Sequence, residues 1–159
     1  MTDMIQKQIV LKAPRERVWN AIADSAQFGA WFGMRLNGPF VAGTTITGAI
    51  SPTRVSDEVA AAQKPYEGTP VSLFIDTVEP QTRFAFRWHP YATDPNTDYS
   101  VEPMTLVSFV LSDTDGGTQL ILTESGFDAL PEHRRAEAIN MNDGGWTAQM
   151  KLIEAYLAR

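Results

Sequence analysis

Gly144-Gly-Trp-Thr-Ala-Gln-Met-Lys-Leu-Ile-Glu-Ala-Tyr-Leu157 is the stretch on which the fold turns. Trp146, Met150, Ile153 and Leu157 fall at i, i+4, i+7 and i+11, so a helix carries them on one continuous apolar face. Such a face needs a sheet or another helix to cover it. The helix is expected to start at Leu130-Pro131-Glu132, with Asp128 or Ala129 near its cap. Gly144-Gly145 interrupts the pattern, at about 1 kcal/mol per glycine relative to alanine. The pair predicts a kink, or a place where backbone passes close to something bulky.

The cover lies upstream. Thr69 to Val78, Thr82 to His89, Met104 to Leu111 and Thr118 to Ser125 read as strands bounded by turn residues. Their connections are Glu79-Pro80-Gln81, Pro90 to Pro103 and Asp113 to Gly117, most of them too short for a parallel crossover, so the strands pair antiparallel. Gly43 to Ile50 has the β-branched content of a further strand, and Met4 to Lys12 reads as the first. Between those two, Ala13-Pro14-Arg15-Glu16-Arg17 opens a helix with Pro14 at its first position and Val18, Trp19 and Ile22 at helical spacing. Asp24 or Ser25 caps a second short helix that carries Phe28 and ends near Trp31-Phe32. The polar connection Ser51 to Gly68 leaves room for one or two helical turns at Glu58 to Gln63. The fold class is α+β, with residues 1–159 expected to form a single domain.

Alternation assigns the faces. Phe84, Phe86 and Trp88 point one way, and Arg83, Arg87 and His89 the other. Val107, Phe109 and Leu111 make a second apolar row, Leu120 and Leu122 a third, and Glu124 follows the third row in register. The sheet is therefore apolar on one side, and the Trp146 face is its natural lid. Two readings are open for these rows: ordinary core, or the lining of a ligand site formed by Trp31, Phe84, Phe86, Trp88, Val107, Phe109, Leu122, Glu124, Trp146 and Met150. Glu124 either reaches solvent at the rim or faces the interior, where desolvation penalises its charged form and suits it to polar recognition or proton transfer. His89 is a surface histidine by alternation; a bulge before Pro90 would bring it to the cavity mouth as an acid–base partner. Arg54 and Tyr66, in the long connection, are candidates for the rim.

Composition excludes more than it assigns. Among 159 residues there is no cysteine, which removes disulfides, thiolate metal sites and thiol catalysis and suits a reducing, cytoplasmic setting. The formal charge is -6, from 19 acidic and 13 basic residues, so a phosphate backbone would be repelled and nucleic acid is not an expected partner. No basic leader precedes the short apolar run in Met1 to Lys12, and no run is long enough for a membrane helix, so neither a signal peptide nor membrane association is expected. The two histidines, His89 and His133, have no metal-ligand spacing, and no nucleophile elbow or dinucleotide loop is present. Neither metal nor cofactor is expected.

Four segments then carry a resemblance: Ala13-Pro14-Arg15-Glu16-Arg17-Val18-Trp19, Phe84 to Tyr91, Gly117-Thr118 through Phe127, and Asn142-Asp143-Gly144-Gly145-Trp146. In this order, over essentially the whole chain, they resemble the helix-grip superfamily of START domains and the birch-pollen allergen. The branch they resemble most is the one named after the C-terminal domain of the activator of Hsp90 ATPase. The resemblance implies a curved antiparallel sheet of about six to seven strands around a long C-terminal helix that bends at Gly-Gly-Trp over a cavity mouth. It also implies binding of a small hydrophobic molecule, by a monomer or homodimer. A cofactor-free cyclase or hydrolase using Glu124 with His89 or a tyrosine is the alternative, and a chaperone-associated interaction module the third. An Hsp90 partnership is weighed against by the lack of the domain that the Hsp90 activator places before this one.

Overall fold

The computed structural model describes residues 4–159; residues 1–3 of the stretch read above for a leader lie outside it. The chain runs β1 (Met4–Leu11), α1 (Arg15–Ala23), α2 (Ser25–Phe32), β2 (Met34–Leu36), β3 (Thr45–Ile50) and α3 (Asp57–Gln63). It continues through β4 (Pro70–Glu79), β5 (Arg83–Trp88), β6 (Thr105–Thr114) and β7 (Gly117–Ser125) to α4 (Glu132–Leu157). The seven strands form one curved antiparallel sheet in the order β1-β7-β6-β5-β4-β3-β2. The first strand thus pairs with the last, Met4 opposite Ser125 and Leu11 opposite Thr118.

Local chemistry explains the helical pair. Asp24 closes α1, its N–H reaching the Asn20 carbonyl, and opens α2, its carboxylate accepting from the Ala26 N–H at 3.0 Å. The Trp31 indole donates to the Ala21 carbonyl at 2.8 Å and locks the two helices together. Gly33 ends α2 at φ 106°, a left-handed turn that glycine adopts without a Cβ penalty. Pro14 precedes the first helical residue of α1 rather than occupying it. In the same way α4 begins after Pro131, with no side-chain cap from Asp128 or Ala129, which lie in a 3₁₀ turn. Strand β2 was not expected; three residues are too few to show a period.

Trp146, Met150, Ile153 and Leu157 are all buried, and α4 lies against β1, α1 and α2. Lys7 holds Asp143 at 3.0 Å, and Arg17 donates to the Leu157 carbonyl at 3.2 Å, fastening the helix near its middle and at its end. Gly144 and Gly145 lie within this unbroken helix, and a Cβ at either would meet nothing within 4 Å. The close approach expected there is absent, because both glycines face open space.

The apolar rows of β5, β6 and β7 point inward as alternation required, with Phe84, Phe86, Val107, Phe109, Leu120 and Leu122 fully buried. The space above them is not hollow. Phe28 of α2 sits at its centre, its ring 4.8 to 6.5 Å from those of Trp31, Phe32, Phe40, Phe84, Phe86 and Phe109. Phe32 and Phe109 in turn meet Trp146 at 5.7 and 5.9 Å. Such offset and edge-on pairs contribute about 0.5–1.5 kcal/mol each beyond area burial. This aromatic cluster fills the region in which sequence placed a cavity.

Candidate functional site

The hollow lies beside that cluster. α2 ends at Phe32, and from Phe32 and Gly33 onward an open pocket of about 680 Å³ extends over β3 and β4. Gly48, Ile50, Val71 and Leu73 line its sheet side; Met141, Asn142 and Gln149 of α4 line another; His89, Tyr91 and Tyr99 close a third. At Gly48 a Cβ would stand 2.1 Å from the Arg35 carbonyl oxygen, so no larger side chain can arise there while β2 pairs with β3. The volume falls within the roughly 300–1,000 Å³ typical of small-molecule sites.

Of the residues nominated from sequence, Trp88, His89 and Tyr66 line this pocket. Trp31, Phe84, Phe86, Val107, Phe109, Leu122, Trp146 and Met150 do not; they are packed into the core, because α2 rather than a ligand occupies the space above the rows. Arg54 is exposed, does not line the pocket and, among the described residues, forms no ion pair with Glu124; its N–H is tied to the Ala30 carbonyl.

Glu124 faces inward with no exposed surface. Its carboxylate accepts from the Trp88 indole at 2.7 Å, the Thr105 hydroxyl at 2.6 Å and the Trp146 indole at 2.8 Å. The Asn142 amide nitrogen donates to both oxygens, at 3.0 and 3.2 Å. Among the described residues no lysine or arginine forms an ion pair with it. Indole and amide N–H groups only donate, so this neutral shell satisfies both carboxyl oxygens without a basic side chain. The node joins β5, β6, β7 and α4, and two of its donors, Trp88 and Asn142, stand on the pocket wall. Sequence singled out Glu124 and the tryptophans; Asn142 stood in a segment that carried the resemblance but was given no role, and Thr105 was not noted, because a lone polar residue announces no long-range partner.

The third wall is held by one arginine that sequence reading passed over. Arg134, in the first turn of α4, grips Glu102 at 2.9 Å and donates to the Pro90 and Tyr91 carbonyls at 2.9 and 3.2 Å. Its guanidinium lies 4.7 Å from the Tyr99 ring centroid. Tyr91, at φ 48°, adopts a left-handed backbone that costs about 1 kcal/mol for a non-glycine residue, and the clamp on its carbonyl holds it there. His89 sits behind this segment with its Nδ1 buried and unpartnered. Burial lowers its pKa below the ordinary histidine value; Glu102 and Asp98 oppose the shift and Arg134 adds to it. Among the described residues no group of three or more metal-ligating side chains comes together, and no helix is long and apolar enough to cross a membrane.

A seven-stranded antiparallel sheet gripping a terminal helix, with a pocket open at one end, defines a helix-grip α+β protein. Within that class the chain belongs to the family described as "Activator of Hsp90 ATPase homolog 1-like protein", whose model matches residues 12–158. Solved structures agree in fold. Protein MLL2253 from Mesorhizobium loti is 24% identical, with 98% of this chain and 97% of that one covered and a TM-score of 0.70. The Aha1 dimer from Colwellia psychrerythraea is 16% identical, with 99% and 96% covered and a TM-score of 0.68. DynU16, from the dynemicin biosynthetic locus, is 23% identical with a TM-score of 0.69; 99% of this chain matches 48% of that one. No curated protein matches the sequence significantly.

Proposed function

We propose that this protein binds a small, largely apolar molecule in the pocket between β3, β4, α4 and the Arg134-clamped segment. The observation that carries this reading is the pocket itself: about 680 Å³, walled by Ile50, Val71, Leu73, Met141 and aromatic rings. Apolar walls with few polar points are what a small-molecule site presents. The geometry favours binding over turnover. Glu124, the one buried carboxylate among the described residues, has both oxygens committed to donors from the protein and no exposed surface, so a substrate proton has no route to it.

The test uses the neutral fluorophore N-phenylnaphthylamine. Its emission should rise and saturate at one molecule per chain. Val71→Trp, which fills the hollow from the sheet side, should abolish the rise while leaving the thermal midpoint within about 3 °C, as expected for less than 1 kcal/mol. An undiminished signal in Val71→Trp overturns the assignment of the pocket.

A further inference from the structure

Residues 90–102, between β5 and β6, supply much of the pocket's third wall through Tyr91, Ala92, Thr93 and Tyr99. The segment has little grip of its own on the fold. Residues 93–98, Ser100 and Val101 are exposed, so beyond Pro90 and Tyr91 it buries little apolar surface, the mark of a locally weak region. Its own polar groups bond at short range. The Tyr99 hydroxyl accepts from the Asp94 N–H at 3.0 Å, Asp94 accepts from the Asn96 N–H and the Thr97 hydroxyl, and Asp98 from the Ser100 N–H. A surface loop tied together by its own side chains, with its two ends held close, is an Ω-loop.

Among the described residues, every hydrogen bond and ion pair that joins this loop to another element comes from Arg134. One guanidinium reaches both feet: the Pro90 and Tyr91 carbonyls at the start, at 2.9 and 3.2 Å, and Glu102 at the end, at 2.9 Å. The Tyr99 ring lies against it between the two. The Arg134 and Glu102 side chains are only 11% and 9% exposed, so neither charge can be left behind without its partner at low cost. The contacts therefore form and break together. Arg134 itself does not line the pocket.

We infer that residues 90–102 are a flap on the pocket, closed by Arg134, and that release of this clasp sets how long a bound molecule stays. This rests on the proposed binding pocket and adds to it a positioning residue that touches no ligand. Released, the loop moves as one body, because its internal bonds survive while both feet come free. Tyr91 then leaves the left-handed conformation in which the clasp holds it. A molecule in the pocket packs against Tyr91 and Tyr99 and so favours the closed state, and by the same coupling the closed state holds the molecule more tightly.

The absence of cysteine allows two spin labels to be placed uniquely. Nitroxides at Val101→Cys on the exposed tip of the loop and at Glu154→Cys on the exposed side of α4 report one distance. Its distribution should be narrow in the parent chain, broad in Arg134→Met, and narrowed again when N-phenylnaphthylamine saturates that variant. Stopped-flow dissociation of the probe should be about tenfold faster in Arg134→Met. Glu102→Gln, which loses the ion pair and keeps the two carbonyl bonds, should show a smaller change in the same direction. Phe84→Ala, which weakens the core without touching the flap, should leave the dissociation rate unchanged. An unaltered distance distribution or dissociation rate in Arg134→Met overturns the flap and leaves the pocket standing, as does equal acceleration in Phe84→Ala. If Arg134→Met does not fold, Glu102→Gln decides on the same two readings. Failure of the fluorophore to bind the wild type overturns the pocket and the flap's role with it.

Discussion

The two ends of this sheet face are built from the same strands and end up in opposite states. Over β5, β6 and β7 the face is packed solid, with Phe28 surrounded by six aromatic rings. Over β3 and the start of β4 it borders an open pocket. The difference is set by how far α2 reaches. Its aromatic side chains cover one end, and Gly33 terminates it before the other. Packing density in protein interiors leaves little room for voids, so a hollow persists only where no element is long enough to fill it. Between the two ends stands the Glu124 node, which ties Trp88, Trp146 and Asn142 across the boundary.

The sharpest way to break this contrast is to truncate one side chain at each end. Phe84→Ala should cost about 3–5 kcal/mol in urea unfolding, because it empties a fully buried ring position. Val71→Ala should cost under about 1 kcal/mol, since Val71 is only half-buried and already borders space. Comparable losses would mean that the hollow end is packed like the other.

The boundary itself comes next. Glu124→Ala strands two indole N–H groups, an amide and a hydroxyl, and should destabilise the fold by about 3 kcal/mol. Glu124→Gln keeps one acceptor and should cost roughly half as much. Tryptophan emission should shift in both, as Trp88 and Trp146 lose their partner. A silent Glu124→Ala would remove the node from the account of what joins the two ends.

The smallest effect concerns the pocket wall. Burial holds the His89 pKa below the ordinary value of 6.5, so the unfolded chain takes up the proton first as the medium acidifies. Its contribution is complete above the unfolded pKa, and falls away as pH drops from about 6.5 through the lowered folded value. Urea midpoints across that window should decline in the wild type and decline less in His89→Gln. Glu102 and Asp98 oppose the shift, which keeps the slope shallow.

The strands and the last helix were legible because their residues repeat at periods of two and 3.6, which any chain obeying backbone geometry must show. That is why the inward rows and the buried Trp146 face could be named from sequence, while Glu124 stayed open between rim and interior until the fold placed it inside. Of the pocket lining, only Trp88, His89 and Tyr66 could be named. Gly48, Gln149 and Asn142 belong to elements far apart in the chain, and none of them interrupts or extends a pattern. Arg134 was passed over for the same reason: its partners Pro90, Tyr91 and Glu102 lie 32 to 44 residues away.

By itself, then, the sequence determined which residues turn inward, since alternation and helical spacing are local properties of the backbone. Only the tertiary structure decided what meets them there. Whether an inward face is covered by a phenylalanine from α2 or left open depends on the length and placement of another element, and that is settled by packing across the whole fold. The same holds for the polar points. The sequence supplies a carboxylate, two indoles and two amides; folding alone directs both indoles and the Asn142 amide to Glu124, and the Gln149 amide to the Phe32 carbonyl.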